Sequence, residues 1–262
     1  MSSNPAFGRD GEVFRSASRE YAKFSPPTPS ATDLQNMYDR PAYTPVRPMS
    51  LDDVVLRTAA TLGTVVAAGA VAWTFNVLAL ALPAALVGFV LALVIMFRRL
   101  ANPPLVLAYA ACEGVFLGAI SHVYDSRYPG IVVQAVIGTA GVFAGMLVVY
   151  KTGAIRVTPR FNRRLLAGLF GVVAVMLVNG IASLIAGHDA LGVRSAGPIG
   201  IVFSLVCIAL AAAAFLSDFD MIDRAIRAGV PERYAWYSAF GLTVTLVWLY
   251  LEILRLLGYA RQ

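Results

Sequence analysis

The stretch FLSDFDMID, Phe215–Asp223, places three carboxylates at the end of an apolar run, and the rest of the chain is interpreted around it. The preceding residues, PIGIVFSLVCIALAAAAFLS from Pro198, are apolar enough to span a bilayer. A carboxylate at mid-depth on a membrane helix costs about 2.5–3.5 kcal/mol, so such residues are functional candidates. On a helix, Asp218 and Asp220 point about 200° apart, and Asp223 lies far enough along to reach the interface.

The composition places the chain among membrane proteins. It has 262 residues, of which 58% are apolar and only 14% charged, and this is outside the range of soluble globular domains. Long apolar segments predict an all-α polytopic membrane protein with seven transmembrane helices. The predicted segments are 54–78, 80–97, 104–124, 131–150, 163–187, 197–222 and 236–257. Because the first two almost adjoin, a tight hairpin is expected at Leu80–Pro83.

Basic residues are concentrated in alternate loops. Ten lysines and arginines lie in the loops after segments two, four and six, whereas the other loops carry only Arg127 and Arg194. The positive-inside rule therefore predicts a cytoplasmic N-terminus and an external C-terminus. We attribute the net charge of +6 to this orientation and expect no nucleic-acid partner. Nineteen arginines against two lysines suggest a GC-rich bacterial genome. We expect a multi-pass protein of the bacterial inner membrane, in contact with the lipid bilayer.

The first fifty residues differ from the rest. Residues 1–50 are rich in serine, proline and asparagine and show no helical or alternating period. We predict a disordered cytoplasmic tail over residues 1–50 and a seven-helix transmembrane domain over residues 51–262.

Few ionisable residues lie within the spans. The acids are Glu113 in segment three, Asp218 and Asp220 in segment six, and Glu252 in segment seven. Asp220 suits either a pathway-lining or a structural role. Arg255 follows Glu252 at i,i+3, a spacing that permits a local ion pair. Burial and neighbouring carboxylates both favour the neutral form of an acid, so this group is typical of a proton-sensitive latch or a cation site.

Arginines and glycines complete the set of candidate residues. Arg98 and Arg99 end segment two and could approach Asp218 at a similar depth, or serve only as topology charges. The pairs Gly114–Gly118 and Gly141–Gly145 are expected to let helix backbones approach closely.

Several classes of protein are excluded or disfavoured by missing motifs. The chain has no HExxH, no GxSxG and no phosphate-binding glycine loop. The only lysines, Lys23 and Lys151, lie outside segment seven, which excludes a retinal Schiff base there. We therefore expect no enzymatic activity, no cofactor and no metal site beyond a transported cation. The two cysteines, Cys112 and Cys207, are interpreted as free buried thiols.

Over about residues 50–260 the chain resembles the Bax-inhibitor family of membrane proteins, in a bacterial branch. The resemblance is carried by SDFDMID in segment six and by Trp236 through WLYLEILRLLGY in segment seven, together with the arginine pair that ends segment two. It implies a bundle wrapped around a central helix and a pH-sensitive calcium leak. The implied latch is an acidic pair matching Asp218 and Glu252, with Arg98 or Arg99 as its counter-charge.

The predicted register does not bring the two latch acids to the same depth. Counted from a turn near Gly229–Pro231, straight antiparallel helices would place Asp218 and Glu252 about 13 Å apart along the membrane normal. A tilt, a kink or an unwound start of segment seven would have to close that gap. Otherwise Glu252 is expected to lie near Glu113.

Two functional hypotheses follow from the resemblance and the residues. The first is a leak channel or transporter for Ca²⁺ or another cation, with Asp218, Glu252, Glu113 and Asp220 as the pathway and pH latch. The second is an interaction protein that modulates a membrane quality-control protease or stress-response complex through its tail. Ion flux from the purified protein would separate them.

Overall fold

The computed structural model describes residues 30–38, 47–75, 77–99, 101–186 and 191–262, and shows no strand within them. Seven helices are long and apolar enough to cross a membrane, which confirms the predicted all-α polytopic bundle. They are α1 (Leu51–Thr74), α2 (Ala81–Arg98), α3 (Pro103–Arg127), α4 (Ile131–Thr152), α5 (Pro159–Ala186), α6 (Pro198–Arg227) and α7 (Ala235–Ala260). Short 3₁₀ turns, Leu78–Leu80 and Glu232–Tyr234, precede α2 and α7.

The connection between α1 and α2 lies earlier than predicted. Leu80–Pro83 is not a hairpin, because the chain turns after α1 and residues 78–80 already form a 3₁₀ turn leading into α2. Pro83 falls in the first turn of α2, where its missing N–H has no intrahelical partner to lose. The prediction placed the turn within the first residues of the second span, whereas the turn precedes them.

The N-terminal region is only partly described. A short helix, Ala31–Tyr38, lies where no helix was predicted. Residues 1–29 and 39–46 lie outside the described residues, so the predicted disorder there stays a prediction. Residues 47–50 belong to the same compact unit as the seven helices, although the sequence assigned them to the tail.

The last helix, α7, is the central helix. It packs against α1, α3, α4 and α6, and Ala235, Ala239, Thr243 and Leu249 along it are completely buried. By contrast, α5 packs on α6 and buries only Leu165 and Asn179. Many large apolar side chains along the helices are exposed, as expected of a surface that faces lipid.

Glycines decide how closely α1 and α3 approach. A Cβ at Gly118 would overlap the backbone of Gly69, and one at Gly114 would overlap Val65, so the first predicted glycine pair does build a helix interface. The second prediction is wrong. Gly141 and Gly145 have no atom within 4 Å of a built Cβ and lie on the exposed face of α4.

The bundle has two chemically different ends. The connections α2–α3, α4–α5 and α6–α7 lie at one end, which we call the basic end because it carries Arg98, Arg99, Lys151, Arg156, Arg160, Arg163, Arg164, Arg224, Arg227 and Arg233. The α1–α2, α3–α4 and α5–α6 connections lie at the opposite end.

Candidate functional site: the carboxylates at the interface of α6 and α7

Asp218 lies on α6 against the central helix. Its side chain is half-buried, and its Oδ2 accepts a hydrogen bond of 2.8 Å from the hydroxyl of Thr245 on α7. The same hydroxyl lies 3.2 Å from the carbonyl oxygen of Gly241. Among the residues that the structure describes, no lysine or arginine forms an ion pair with Asp218. The carboxylate is therefore held by one neutral donor.

The other two acids of the stretch do have basic partners. Asp220 is 2.6 Å from Arg224, and Asp223 is 2.8 Å from Arg227, both at i,i+4 on α6. Asp223 also accepts a hydrogen bond of 3.4 Å from the Tyr150 hydroxyl. Asp218 and Asp220 thus have different neighbours, as the 200° between them predicts. Both basic partners lie at the basic end, close to solvent, and are more than 60% exposed.

Glu252 on α7 is the most deeply buried acid of the site. Its side chain is 2% exposed, and its two carboxylate oxygens lie 3.0 and 3.1 Å from Arg255. The predicted i,i+3 ion pair is confirmed. Arg255 is only 15% exposed, so it is directed at Glu252 and does not extend to the membrane surface. Arg194, in the α5–α6 connection, adds a second positive charge near Glu252.

The two acids implied as a latch do not contact each other. Asp218 faces Thr245, and Glu252 lies seven residues farther along the same face of α7, about 10 Å away along the helix axis. Completely buried apolar side chains, Phe215, Ala211 and Leu249, lie along the interface between them. Because Asp218 meets Thr245 and not Glu252, an offset between the two acids remains, as straight antiparallel helices predict.

Glu113 lies in another part of the bundle. It is half-buried on α3, one turn after the buried Tyr109. A Cβ at Gly88 of α2 would lie 3.4 Å from its Oε1, so the carboxylate faces α2. The residue of α3 that meets α7 close to Glu252 is Ser121, about two turns after Glu113, whose hydroxyl lies 2.6 Å from that of Tyr250. The expected proximity of Glu113 and Glu252 is therefore not observed.

The arginine pair at the end of α2 does not reach the site. Arg98 and Arg99 are exposed, and neither forms an ion pair with Asp218. Arg99 adopts a left-handed conformation with φ of 48° where it ends the helix. Because α2 packs mainly on α3, the pair lies away from α6. A counter-charge role for either arginine is not visible in this conformation.

Sequence reasoning missed Thr245 and Arg194. Thr245 is the only side-chain donor to Asp218 among the described residues, and a polar residue seven positions before Glu252 in an apolar span was the signal that could have identified it. Arg194 was counted only as a loop charge, and nothing local in the sequence pairs it with Glu252.

No cluster suited to a bound metal is present within the described residues. His122 stacks edge-on against Trp73, with ring centroids 5.3 Å apart. His188 lies outside the described part of the chain.

The comparison with known families agrees with this architecture. A model of the family described as Bax inhibitor 1 like matches residues 4–262. No curated protein matches the chain. Because the family match covers nearly the whole sequence, including the short tail helix and all seven spans, the chain belongs to the Bax inhibitor 1 like family of membrane proteins.

Proposed function

We propose that the protein is a pH-sensitive cation leak of the bacterial cytoplasmic membrane, most suited to Ca²⁺, in which Asp218 is the proton-sensitive acid. The observation that carries the proposal is the environment of Asp218. It is a half-buried carboxylate within a membrane span, bound by one hydroxyl and facing no described basic residue. Acids in such positions are rare and mark ion or proton pathways.

The ligand chemistry favours a hard cation. Carboxylate and hydroxyl oxygens, as supplied by Asp218 and Thr245, are the donors that Ca²⁺ prefers. We use the word station for a position on the pathway where a cation would bind. Asp218 is assigned as the station nearer the basic end. Glu252, with Arg255, is assigned as the station nearer the opposite end. If the positive-inside rule holds, the basic end is cytoplasmic and the C-terminus is external.

The apolar side chains between the two stations account for a leak that can close. Phe215, Ala211 and Leu249 are completely buried and lie between positions about 10 Å apart along the α6–α7 interface. Apolar constrictions of this kind stop ions by excluding water. In this proposal, the structure represents a closed state, and protonation of Asp218 changes the balance between closed and open states by removing the negative charge that strengthens its bond with Thr245.

Calcium flux into proteoliposomes tests the proposal. The purified protein should admit Ca²⁺, and Asp218→Asn should change the flux strongly. The matched control is Asp223→Asn, on the same helix, where the acid is 41% exposed and paired with Arg227. No flux from correctly inserted protein at any pH between 5 and 8 would refute the leak.

A second function, modulation of a membrane protease or stress complex through the tail, is tested by deleting residues 1–45. The deletion stops before the residues that join the helical body. A leak should survive it, whereas a docking function should be lost.

A further inference from the structure

The four residues before α1, Arg47–Ser50, which we call the strap, lie across the turn between α6 and α7. The backbone N–H of Met49 donates to the carbonyl of Val230 at 2.8 Å, and the N–H of Glu232 donates to the carbonyl of Arg47 at 3.0 Å. These bonds flank an antiparallel bridge between Pro48 and Pro231. Neither proline has an N–H to donate, and a non-hydrogen-bonded bridge position requires none. The sequence therefore suits this pairing.

Charges of alternating sign reinforce the bridge. Arg47 lies 2.5 Å from Asp53 and 3.0 Å from Glu232, so it connects the start of α1 to the α6–α7 turn. Arg57, one turn farther along α1, lies 3.7 Å from the Glu232 carboxylate and donates to the Glu232 carbonyl. The guanidinium of Arg57 also stacks over Trp236, 5.8 Å from its centroid.

The strap is anchored in the core and at the helix start. Met49 is 3% exposed and belongs to the same apolar cluster as Phe219, Ile222 and Ala235 of α6 and α7. Ser50 caps α1 by accepting from the N–H of Asp53 at 3.2 Å, and the Asp53 carboxylate accepts from the N–H of Ser50 at 2.9 Å. Pulling the strap away would therefore disturb α1 and the α6–α7 turn together.

The strap does not depend on pH through its arginine. Its hydrogen bond to Asp53 raises the pKa of Arg47 above the usual value, so the guanidinium stays charged over the physiological range. Release of the strap would therefore come from a force on it or from a partner that competes for its contacts, and not from deprotonation of Arg47.

We propose that the strap is a regulatory clamp: it couples the N-terminal tail to the α6–α7 hairpin, so that a partner or force acting on the tail changes the packing of the helix that carries Asp218. The contacts that would transmit such a change form an unbroken series. They run from Arg47 and Met49, through the turn at Glu232, to the last turns of α6. This inference does not require the leak, because its tests measure conformation and not ion flux.

Hydrogen exchange of the full-length protein in lipid nanodiscs tests the clamp. Arg47→Ala removes the exposed ion pairs, and exchange in peptides covering residues 222–236 should accelerate about two- to fivefold. Arg156→Ala, an exposed arginine in the α4–α5 connection at the same end, is the matched control and should leave these peptides unchanged. Acceleration confined to residues 47–50, or equal in both variants, would overturn the proposal.

A disulfide provides the converse test. Residues facing each other at a bridge of this kind have Cα atoms about 4.5 Å apart, within the roughly 4.4–6.8 Å that a disulfide spans. In a background of Cys112→Ala and Cys207→Ala, the pair Pro48→Cys and Pro231→Cys should therefore form a bond that locks the strap. Exchange over residues 222–236 should then slow relative to the same protein after reduction. Equal exchange in the oxidised and reduced forms would overturn the clamp.

Discussion

The surroundings of Asp218 and of Glu252 differ in a way that burial alone would not suggest. Glu252 is almost completely buried, yet both of its oxygens face Arg255, and Arg194 adds a further positive charge. Asp218 is less buried, and within the described part of the chain only the Thr245 hydroxyl bonds its carboxyl group. The more buried acid is thus the better compensated one. The carboxylate of Glu252 therefore has a charged partner, whereas the carboxyl group of Asp218 is bonded by a neutral one.

The largest loss of stability is expected from removing the basic partner of Glu252. Arg255→Ala leaves Glu252 buried without its closest basic partner, and it should lower the free energy of unfolding by about 3–5 kcal/mol. Thermal or chemical unfolding in detergent measures this. The double variant Glu252→Met with Arg255→Met removes both charges and should recover most of the loss. If the double variant is no more stable than Arg255→Ala, Arg255 does not stabilise the protein by offsetting the charge of Glu252.

A smaller loss is expected from removing the only donor at Asp218. Thr245→Val keeps the side-chain shape but leaves the carboxylate without its hydrogen bond, and this should cost about 1–3 kcal/mol of unfolding free energy. Thr64→Val, a change of a threonine whose exposed hydrogen bond joins only its own helix, is the matched control. Equal stabilities of the two variants would show that the bond to Asp218 contributes nothing.

Neutralising Asp218 itself should cost still less. The side-chain amide that Asp218→Asn introduces can still accept the Thr245 proton through its oxygen, while the uncompensated charge is gone. We expect the unfolding free energy to stay within about 1 kcal/mol of the wild-type value. Glu252→Gln, compared under the same conditions, should be clearly less stable because it leaves Arg255 without a charged partner. If Asp218→Asn were instead the less stable of the two variants, Asp218 and not Glu252 would be the acid that depends on its partner for stability.

The smallest effect is expected at the exposed pair next to Asp218. Arg224→Ala removes the partner of Asp220, but the arginine is 64% exposed. Pairs of this kind contribute about 0–1 kcal/mol, so unfolding of the variant should be close to that of the wild type. A loss as large as that of Arg255→Ala would mean that Asp220 belongs to the buried part of the site.

Features set within one helix were predictable from the sequence. The seven spans follow from hydropathy because each must cross the bilayer, and the Glu252–Arg255 pair follows from i,i+3 geometry. Contacts between helices were not predictable in this way. Thr245 meets Asp218 because the α6–α7 turn sets the register of the two helices, and no local pattern encodes that register. The same limit applies to glycines: Gly118 packs against α1, whereas Gly145 faces outward, although both pairs have the same spacing.

The roles implied for the remaining residues depend on conformation. Arg98 and Arg99 are exposed and unpaired with Asp218 in this structure, so a counter-charge role requires α2 to move. Glu113 faces α2 and could report such a movement. Arg98, Arg99 and Glu113 do not contribute to the difference between the surroundings of Asp218 and those of Glu252.

The central proposal, that the protein is a cation leak whose pH dependence comes from Asp218 and not from Glu252, is tested most directly by Ca²⁺ flux into proteoliposomes from pH 5 to pH 8. Wild type, Asp218→Asn and Glu252→Gln are compared after their insertion and orientation have been matched. The account predicts that the pH dependence disappears in Asp218→Asn and persists in Glu252→Gln at whatever total flux remains. A pH dependence that persists in Asp218→Asn, or that disappears only in Glu252→Gln, would contradict it.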